Sequence, residues 1–280
     1  MKTSDPACIG LTLGGGGARS LAHIGALKVF EQAGIPVQRL TGSSMGGLIA
    51  AACAAGMSAS EIEARALRMA HTRSLIHLVD FVPFRRGLIA GNQVRQFITD
   101  IFGPQITFAD LRIPLALTAT DLNRGQLVVL QSGSLVDAVL ATCTVPGLWP
   151  PVRMGQALLV DGGLYNNVPV DIARQMGANI VIALDAAPHF PRQPSASDSQ
   201  FRHPLPGPVP DFLEDFYQAI MILSDLLTYK QLEDAPADIL IRPDLPDDIS
   251  LFAFHRAAEI IAAGEKAAHD CLPQIIDFIK

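Results

Sequence analysis

Three short stretches of this 280-residue chain carry residue types that could do chemistry together. The first is Gly42-Ser43-Ser44-Met45-Gly46, a G-x-S-x-G pentapeptide. It follows the apolar stretch PVQRL and runs straight into LIAAACAAG. A serine between a strand and a helix is lifted on a strained turn, with its hydroxyl exposed as a nucleophile. The helix start adds partial positive charge beside that oxygen. A serine at this position can also serve as a plain helix N-cap, but the flanks favour the nucleophile, and the glycine spacing centres on Ser44 rather than Ser43. Gly42 and Gly46 fit because a side chain at either place would strike the neighbouring strand or helix.

The second stretch is Gly14-Gly15-Gly16-Gly17-Ala18-Arg19-Ser20, at the end of the apolar run CIGLTL. Glycines between a strand and a helix expose backbone N–H groups that bind an anion. That anion is either a nucleotide phosphate or the oxyanion of an acyl-transfer intermediate. The nucleotide reading is weak. There is no G-K-[ST], and no acidic residue closes a following strand about twenty residues on. Arg19 either sits beneath the loop against a carboxylate or is solvated. The third stretch is Asp161-Gly162-Gly163, after the strand-like QALLV. Alone, D-G-G is an ordinary turn. Beside a serine nucleophile and an anion-binding loop, Asp161 supplies the missing base.

The elements that must position these residues alternate. Strands are expected at CIGLTL, IPVQRLTG, IPLALTATDL, GQLVVLQSG, QALLVD, NIVIALDA and ADILIRPD. Helices are expected over 18–34, 44–56, 58–72, 92–103, 134–147, 168–178, 211–234 and 253–272, from apolar spacing and stop signals. Ser58 and Glu61 form a capping box. Most strands are continuously apolar, so the expected fold is α/β, a three-layer α/β/α sandwich around a mainly parallel sheet. Sites in such sheets lie beyond the C-terminal strand ends, where all three stretches fall. Residues 188–210 carry seven prolines and read as a long loop or lid. Residues 77–91 set Phe81, Val82, Phe84 and Leu88 beside Arg85 and Arg86. They read as a packed loop, with a lid or membrane-touching element as the sharper alternative.

Bulk composition narrows the function class. Apolar residues make up 49% and charged residues 17%, with mean hydropathy +0.31. No apolar run reaches the ~18–20 residues of a membrane span, and the N-terminus shows no secretory signal. Net charge is −6 without a basic cluster, which speaks against a nucleic-acid partner. Four scattered cysteines (8, 53, 143 and 271) fit free thiols in a reducing compartment, hence a cytoplasmic setting. No histidine or cysteine spacing suggests a metal, and no cofactor is expected.

The ordered motifs resemble the patatin-like phospholipase family, in particular bacterial members similar to the catalytic domain of neuropathy target esterase. The resemblance rests on Gly15-Gly16-Gly17-Ala18-Arg19-Ser20, Gly42-Ser43-Ser44-Met45-Gly46 and Asp161-Gly162-Gly163. The flanks AHIGAL, TATDLNRG, TVPGLWPPV and NNVPV belong to it too. It covers residues 9–186 best, and the whole of 1–280 is expected to be one acyl-hydrolase domain. The resemblance implies a Ser–Asp dyad without histidine. Ser44 is then the nucleophile, Asp161 the base, and the N–H groups of Gly15, Gly16 and Gly17 the oxyanion hole. Arg19, Gly42, Gly46, Gly162 and Gly163 support it. The implied substrate is an acyl lipid such as a phospholipid or lysophospholipid, and the segment 77–91 is the candidate for peripheral contact with a membrane face. Cys143 stands where many relatives have serine. Two alternatives stay open. One is a Ser-His-Asp triad drawing on His189, His203, His255 or His269, and the other is a silent lipid-binding relative. His23 reads as a hydrogen-bonded core residue, and Asp185 as a structural one.

Overall fold

The computed structural model describes residues 7–71, 91–190 and 211–279. All of the segment 77–91 except Gly91, and residues 191–210 of the proline-rich 188–210, lie outside the described residues. In chain order the elements are β1 (Ile9–Leu13), a 3-10 turn (Gly17–Leu21), α1 (Ala22–Gln32), β2 (Val37–Gly42), α2 (Ser44–Ala54) and α3 (Ala59–His71). They continue with α4 (Asn92–Phe102), β3 (Leu115–Asp121), β4 (Gln126–Leu130), α5 (Leu135–Thr142), β5 (Val152–Met154) and β6 (Ala157–Asp161). The last are α6 (Val170–Gln175), β7 (Ile180–Leu184), α7 (Asp211–Asp234), β8 (Ile239–Ile241) and α8 (Ala257–Ile279).

The strands form one mixed, mostly parallel sheet in the order β5-β6-β3-β2-β1-β7-β8, with β4 on the other edge of β3. The run β3-β2-β1-β7-β8 is parallel throughout. Strand β1 is buried at every residue, as a strand covered on both faces must be. Strand β7 shows the two layers that cover it. Ile182 and Leu184 join the larger cluster with α1, α2 and α8. Val181 and Ala183 join Val168, Val170 and Ala173 on the opposite face. The result is the expected three-layer α/β/α arrangement.

The C-terminal third belongs to the same sheet and core. Strand β8 pairs with β7, and α8 crosses α1 at two glycines. A Cβ on Gly264 would fall 1.8 Å from the Ala22 carbonyl, and one on Gly25 2.0 Å from the Ile261 carbonyl. The expected end of the last helix near residue 272 is overrun. Helix α8 passes through Pro273 to Ile279, and the full burial of Ile275 offsets the N–H that proline lacks.

One feature of the sheet positions the site. Strand β2 occupies one edge of β3 from Leu40↔Leu115 to Gly42↔Leu117. Strand β4 covers the opposite edge from Leu117 to Asp121. Strand β6 is antiparallel to β3 and pairs Ala119↔Asp161 through Asp121↔Leu159, so it must take the edge that β2 has just left. The C-terminal ends of β2 and β6 therefore meet head to head, with Thr118 between them on β3.

Candidate active site

Ser44 is the first residue of α2 and sits at φ +52°. No other non-glycine among the described residues has positive φ. The left-handed region costs such a residue about 1–2 kcal/mol, so the surroundings must impose it. They do so by close packing. A Cβ on Gly46 would fall 2.3 Å from the Gly14 carbonyl and 2.4 Å from the Leu13 carbonyl, so α2 starts pressed against the end of β1. Gly42 closes against Gly47 in the same way. The Ser44 N–H donates to Thr142 Oγ1 at 2.8 Å, and the Cys143 thiol donates to the Ser44 carbonyl at 3.2 Å. Ser43 is fully buried, and its hydroxyl has no partner among the described residues.

The Ser44 hydroxyl points at Asp161, donating to Oδ2 at 2.6 Å. The other carboxylate oxygen accepts the Gly163 N–H at 2.8 Å. Gly162 backs onto the Thr118 carbonyl, where a Cβ would lie 2.3 Å away. Asp161 is buried, and burial pushes its carboxyl from 3.8 to about 6, against the opposing pull of Ser44 and Gly163. Burial, with Asp161 nearby, raises the Cys143 thiol and the Tyr217 phenol, so both stay neutral beside the carboxylate.

The glycine loop lies against the serine, since a Cβ on Gly15 would be 2.9 Å from Ser44 Cβ and 2.6 Å from Asn167 Oδ1. Asn167 holds this loop at both ends of one residue. Its Oδ1 accepts the Gly15 N–H at 3.1 Å, and its Nδ2 donates to the Gly15 carbonyl at 3.3 Å. Of the three N–H groups expected to face an anion, Gly15's is thus already engaged. Those of Gly16 and Gly17 donate to nothing among the described residues. Arg19 is buried beneath the loop, where it hydrogen-bonds to carbonyls and the Asp247 and Asp185 carboxylates attract its charge. It donates to Ala186 O at 2.9 Å, Ile249 O at 3.1 Å and Pro246 O at 3.4 Å.

Among the described residues no histidine reaches the pair. His23 is fully buried and donates from Nε2 to the Gly14 carbonyl at 2.7 Å, the core role expected for it. Burial drives its imidazole down to about 4. His189 lies 2.9 Å from Asp225 by Nδ1 and 3.1 Å from Asp185 by Nε2, the second contact off line for a hydrogen bond. Asp185 is buried with Arg242 and the Ala187 N–H as further partners. His255 and His269 are exposed, and His203 lies outside the described residues. Three residues here were not singled out from sequence. Asn167 lay within the quoted NNVPV stretch but was given no role. Thr142 and Ser224, whose Oγ donates to the Gly163 carbonyl at 2.7 Å, carried no signal of their own.

Residues 11–174 match the family model described as "Patatin-like phospholipase". The chain belongs to the patatin-like phospholipase family. All three motifs lie within the matched residues. Among its relatives is human patatin-like phospholipase domain-containing protein 6, 40% identical over 182 residues, covering 63% of this chain and 13% of that protein. An uncharacterized NTE family protein of Mycobacterium bovis is 29% identical over 285 residues, covering 97% of this chain and 48% of that protein. This patatin-like chain thus spans about an eighth of the animal relative and about half of the mycobacterial one. Its fold also matches the crystal structure of VipD from Legionella pneumophila, with a TM-score of 0.57 at 13% identity, over 97% of this chain and 67% of that chain.

Proposed function

We propose that this chain hydrolyses the carboxylic esters of acyl lipids, phospholipids or lysophospholipids among them, through a Ser44–Asp161 dyad. Membership of the patatin-like phospholipase family supports the lipid substrate. The observation that carries the chemistry is the 2.6 Å contact from Ser44 Oγ to a buried Asp161, on a turn strained to φ +52°.

Asp161 takes the hydroxyl proton as Ser44 Oγ bonds to the ester carbonyl carbon. Charge develops on the carbonyl oxygen, and the free N–H groups of Gly16 and Gly17 are the donors suited to it. Gly15, tied to Asn167, keeps the loop in register. The carbon–oxygen ester bond breaks and the leaving alcohol takes the proton from Asp161. Water then attacks the acyl-serine and gives its proton to Asp161; the bond from the acyl carbon to Ser44 Oγ breaks, Ser44 Oγ takes that proton from Asp161, and the fatty acid leaves. A carboxyl near 6 is better matched to this exchange than an exposed one, and is still mostly ionised at pH 7. We read residues 1–280 as one such domain, because β8 and α8 complete its sheet and core.

Labelling with a fluorophosphonate probe and peptide mapping tests the reading. The expected result is a single adduct on Ser44, absent in Ser44→Ala and strongly slowed in Asp161→Asn. A folded protein that takes no adduct and cleaves no ester would overturn it in favour of a lipid-binding role.

A further inference from the structure

Helix α7 is apolar on two faces. The inner face rests on the candidate site. Tyr217, Asp225 and Thr228 are buried there. Ser224 Oγ donates to the Gly163 carbonyl at 2.7 Å, and Gln231 Nε2 to the Tyr165 carbonyl at 2.6 Å. These bonds fix which way the helix faces, and they hold its other side outward. On that side Phe216 and Leu223 are each 60% exposed, Leu226 46% and Leu227 44%. Phe216, Ala219, Leu223 and Leu226 follow at steps of three, four and three, the spacing of a seam that packs against another helix. A contiguous apolar band of this kind marks an interaction site. Between Asp215 and Lys230 the helix carries one charged residue, Asp225, and it lies on the inner face. The outward band is thus bounded by acid at one end and by a lysine at the other.

We propose that this face pairs with the same face of a second copy, α7 against α7, antiparallel about a two-fold axis. With the axis level with Met221, Leu223 packs against the partner's Ala219, and Phe216 against the partner's Leu226. Lys230 then stands about 4.5 Å along the helix axis from the partner's Asp215, within reach of its long side chain. Its pairing within the helix is loose, 3.8 Å to Asp234 with both groups at least 70% exposed, and is readily exchanged. Glu233 and Asp234 fall beyond the partner's first helical residue, away from its Glu214 and Asp215. A parallel pair would instead set each charge against its like. A lipid surface is the poorer occupant. A helix lying in a bilayer interface carries Lys and Arg beside its apolar face. This one carries Glu214, Asp215, Glu233 and Asp234 against a single lysine, in a chain of net charge −6. The band offers on the order of 500 Å² a side, about 1,000 Å² for the pair, the low end of a specific interface. The dimer is therefore a weak and reversible one.

Sedimentation velocity from about 1 to about 200 µM tests the pairing. Wild type should pass from monomer to dimer with a Kd in the micromolar range. Leu223→Glu, at a mostly exposed position, should keep the wild-type melting temperature and raise Kd about thirtyfold or more. If it melts lower, Leu226→Gln on the same seam takes its place. Asp215→Lys and Lys230→Asp should each raise Kd about fivefold at low salt, and the double variant should recover most of that loss. Recovery requires the two positions to meet across the interface, as the antiparallel pair has them. A dimer that Leu223→Glu leaves intact, or a double variant no better than either single one, overturns the proposal. So does a wild type that stays monomeric throughout; if that monomer binds phosphatidylcholine vesicles and Leu223→Glu does not, the face belongs to a membrane. None of these measurements reads ester hydrolysis, so their failure leaves the hydrolase reading untouched.

Discussion

Replacing Asp161 by asparagine should make the protein more stable while strongly slowing the reaction of Ser44. Burial holds the carboxyl near 6 in the folded chain, against an ordinary 3.8. About two units at 1.36 kcal/mol each is about 3 kcal/mol, the cost that ionising Asp161 imposes on the folded state at neutral pH. The sign follows from proton counting. Between pH about 4 and 6 the folded protein holds a proton that the unfolded chain has lost, so stability falls as pH rises through that window. Asparagine carries no charge and escapes the loss. It gives back about 1 kcal/mol for the weaker pairing with Ser44 Oγ and the Gly163 N–H. The net gain is about 2 kcal/mol at pH 7.5, or about 3 °C at the usual unfolding entropy per residue.

The assay compares melting temperatures of wild type and Asp161→Asn from pH 4 to 7.5. The difference is the quantity to read, because His23 bends the wild-type curve the other way. Its imidazole is held at about 4 by burial. As pH falls below 6.5 the unfolded chain gains a proton there that the folded protein refuses, and stability drops. That contribution is common to both proteins and cancels. The reasoning fails if Asp161→Asn melts at or below wild type at pH 7.5, or if its advantage does not shrink toward pH 4. Wild-type kcat/KM should rise through pH about 6 over the same range.

The backbone at Ser44 offers an independent check. Ser44→Gly should be more stable than Ser44→Ala by about 0.5–1 kcal/mol, since relief of left-handed strain exceeds glycine's extra freedom when unfolded; urea unfolding with alanine equal or better would refute the strain. His189 predicts an alkaline effect. Burial opposes its charge, but Asp185 and Asp225 outweigh that and hold it near 9. Its contribution is therefore present below 6.5 and lost as pH rises through about 9. The melting-temperature advantage of wild type over His189→Gln should narrow between pH 7 and 9.5, and a constant gap would remove the clamp.

The parts of the fold legible in sequence are those whose pattern is local. The apolar strand IGLTL, the capping box at Ser58 and the stop at Gly34 each carry their own signal, and each stands where it was read. Strand β5 has three residues and no periodicity to detect. The run of α8 through Pro273 depends on burial of Ile275, a tertiary fact that the local proline rule contradicts. The glycine loop shows the same divide. Its capacity to bind an anion follows from residue types, but the engagement of the Gly15 N–H follows from Asn167, 152 residues away. For Arg19 the sequence leaves a carboxylate or solvent open, and in the structure it is buried, with three carbonyls as hydrogen-bond acceptors and the Asp247 and Asp185 charges nearby.

The approach of Asp161 to Ser44 was the least local feature, and the sheet accounts for it. In a fully parallel sheet an aspartate at a neighbouring strand end stands beside the serine's strand, and an imidazole fills the distance between them. Here β6 is antiparallel to β3 and takes over the edge where β2 stops. Its last residue is thus delivered head-on to the turn that carries Ser44. Hydroxyl and carboxylate touch without an intermediary. Direct contact demands a carboxylate more basic than an exposed one, and the same head-on arrangement buries Asp161 between two strand ends and so raises its pKa. The direct contact of Ser44 with Asp161, with no histidine between them among the described residues, and the stability gain expected of Asp161→Asn then share one cause, the exchange of β2 for β6 along a single edge of β3.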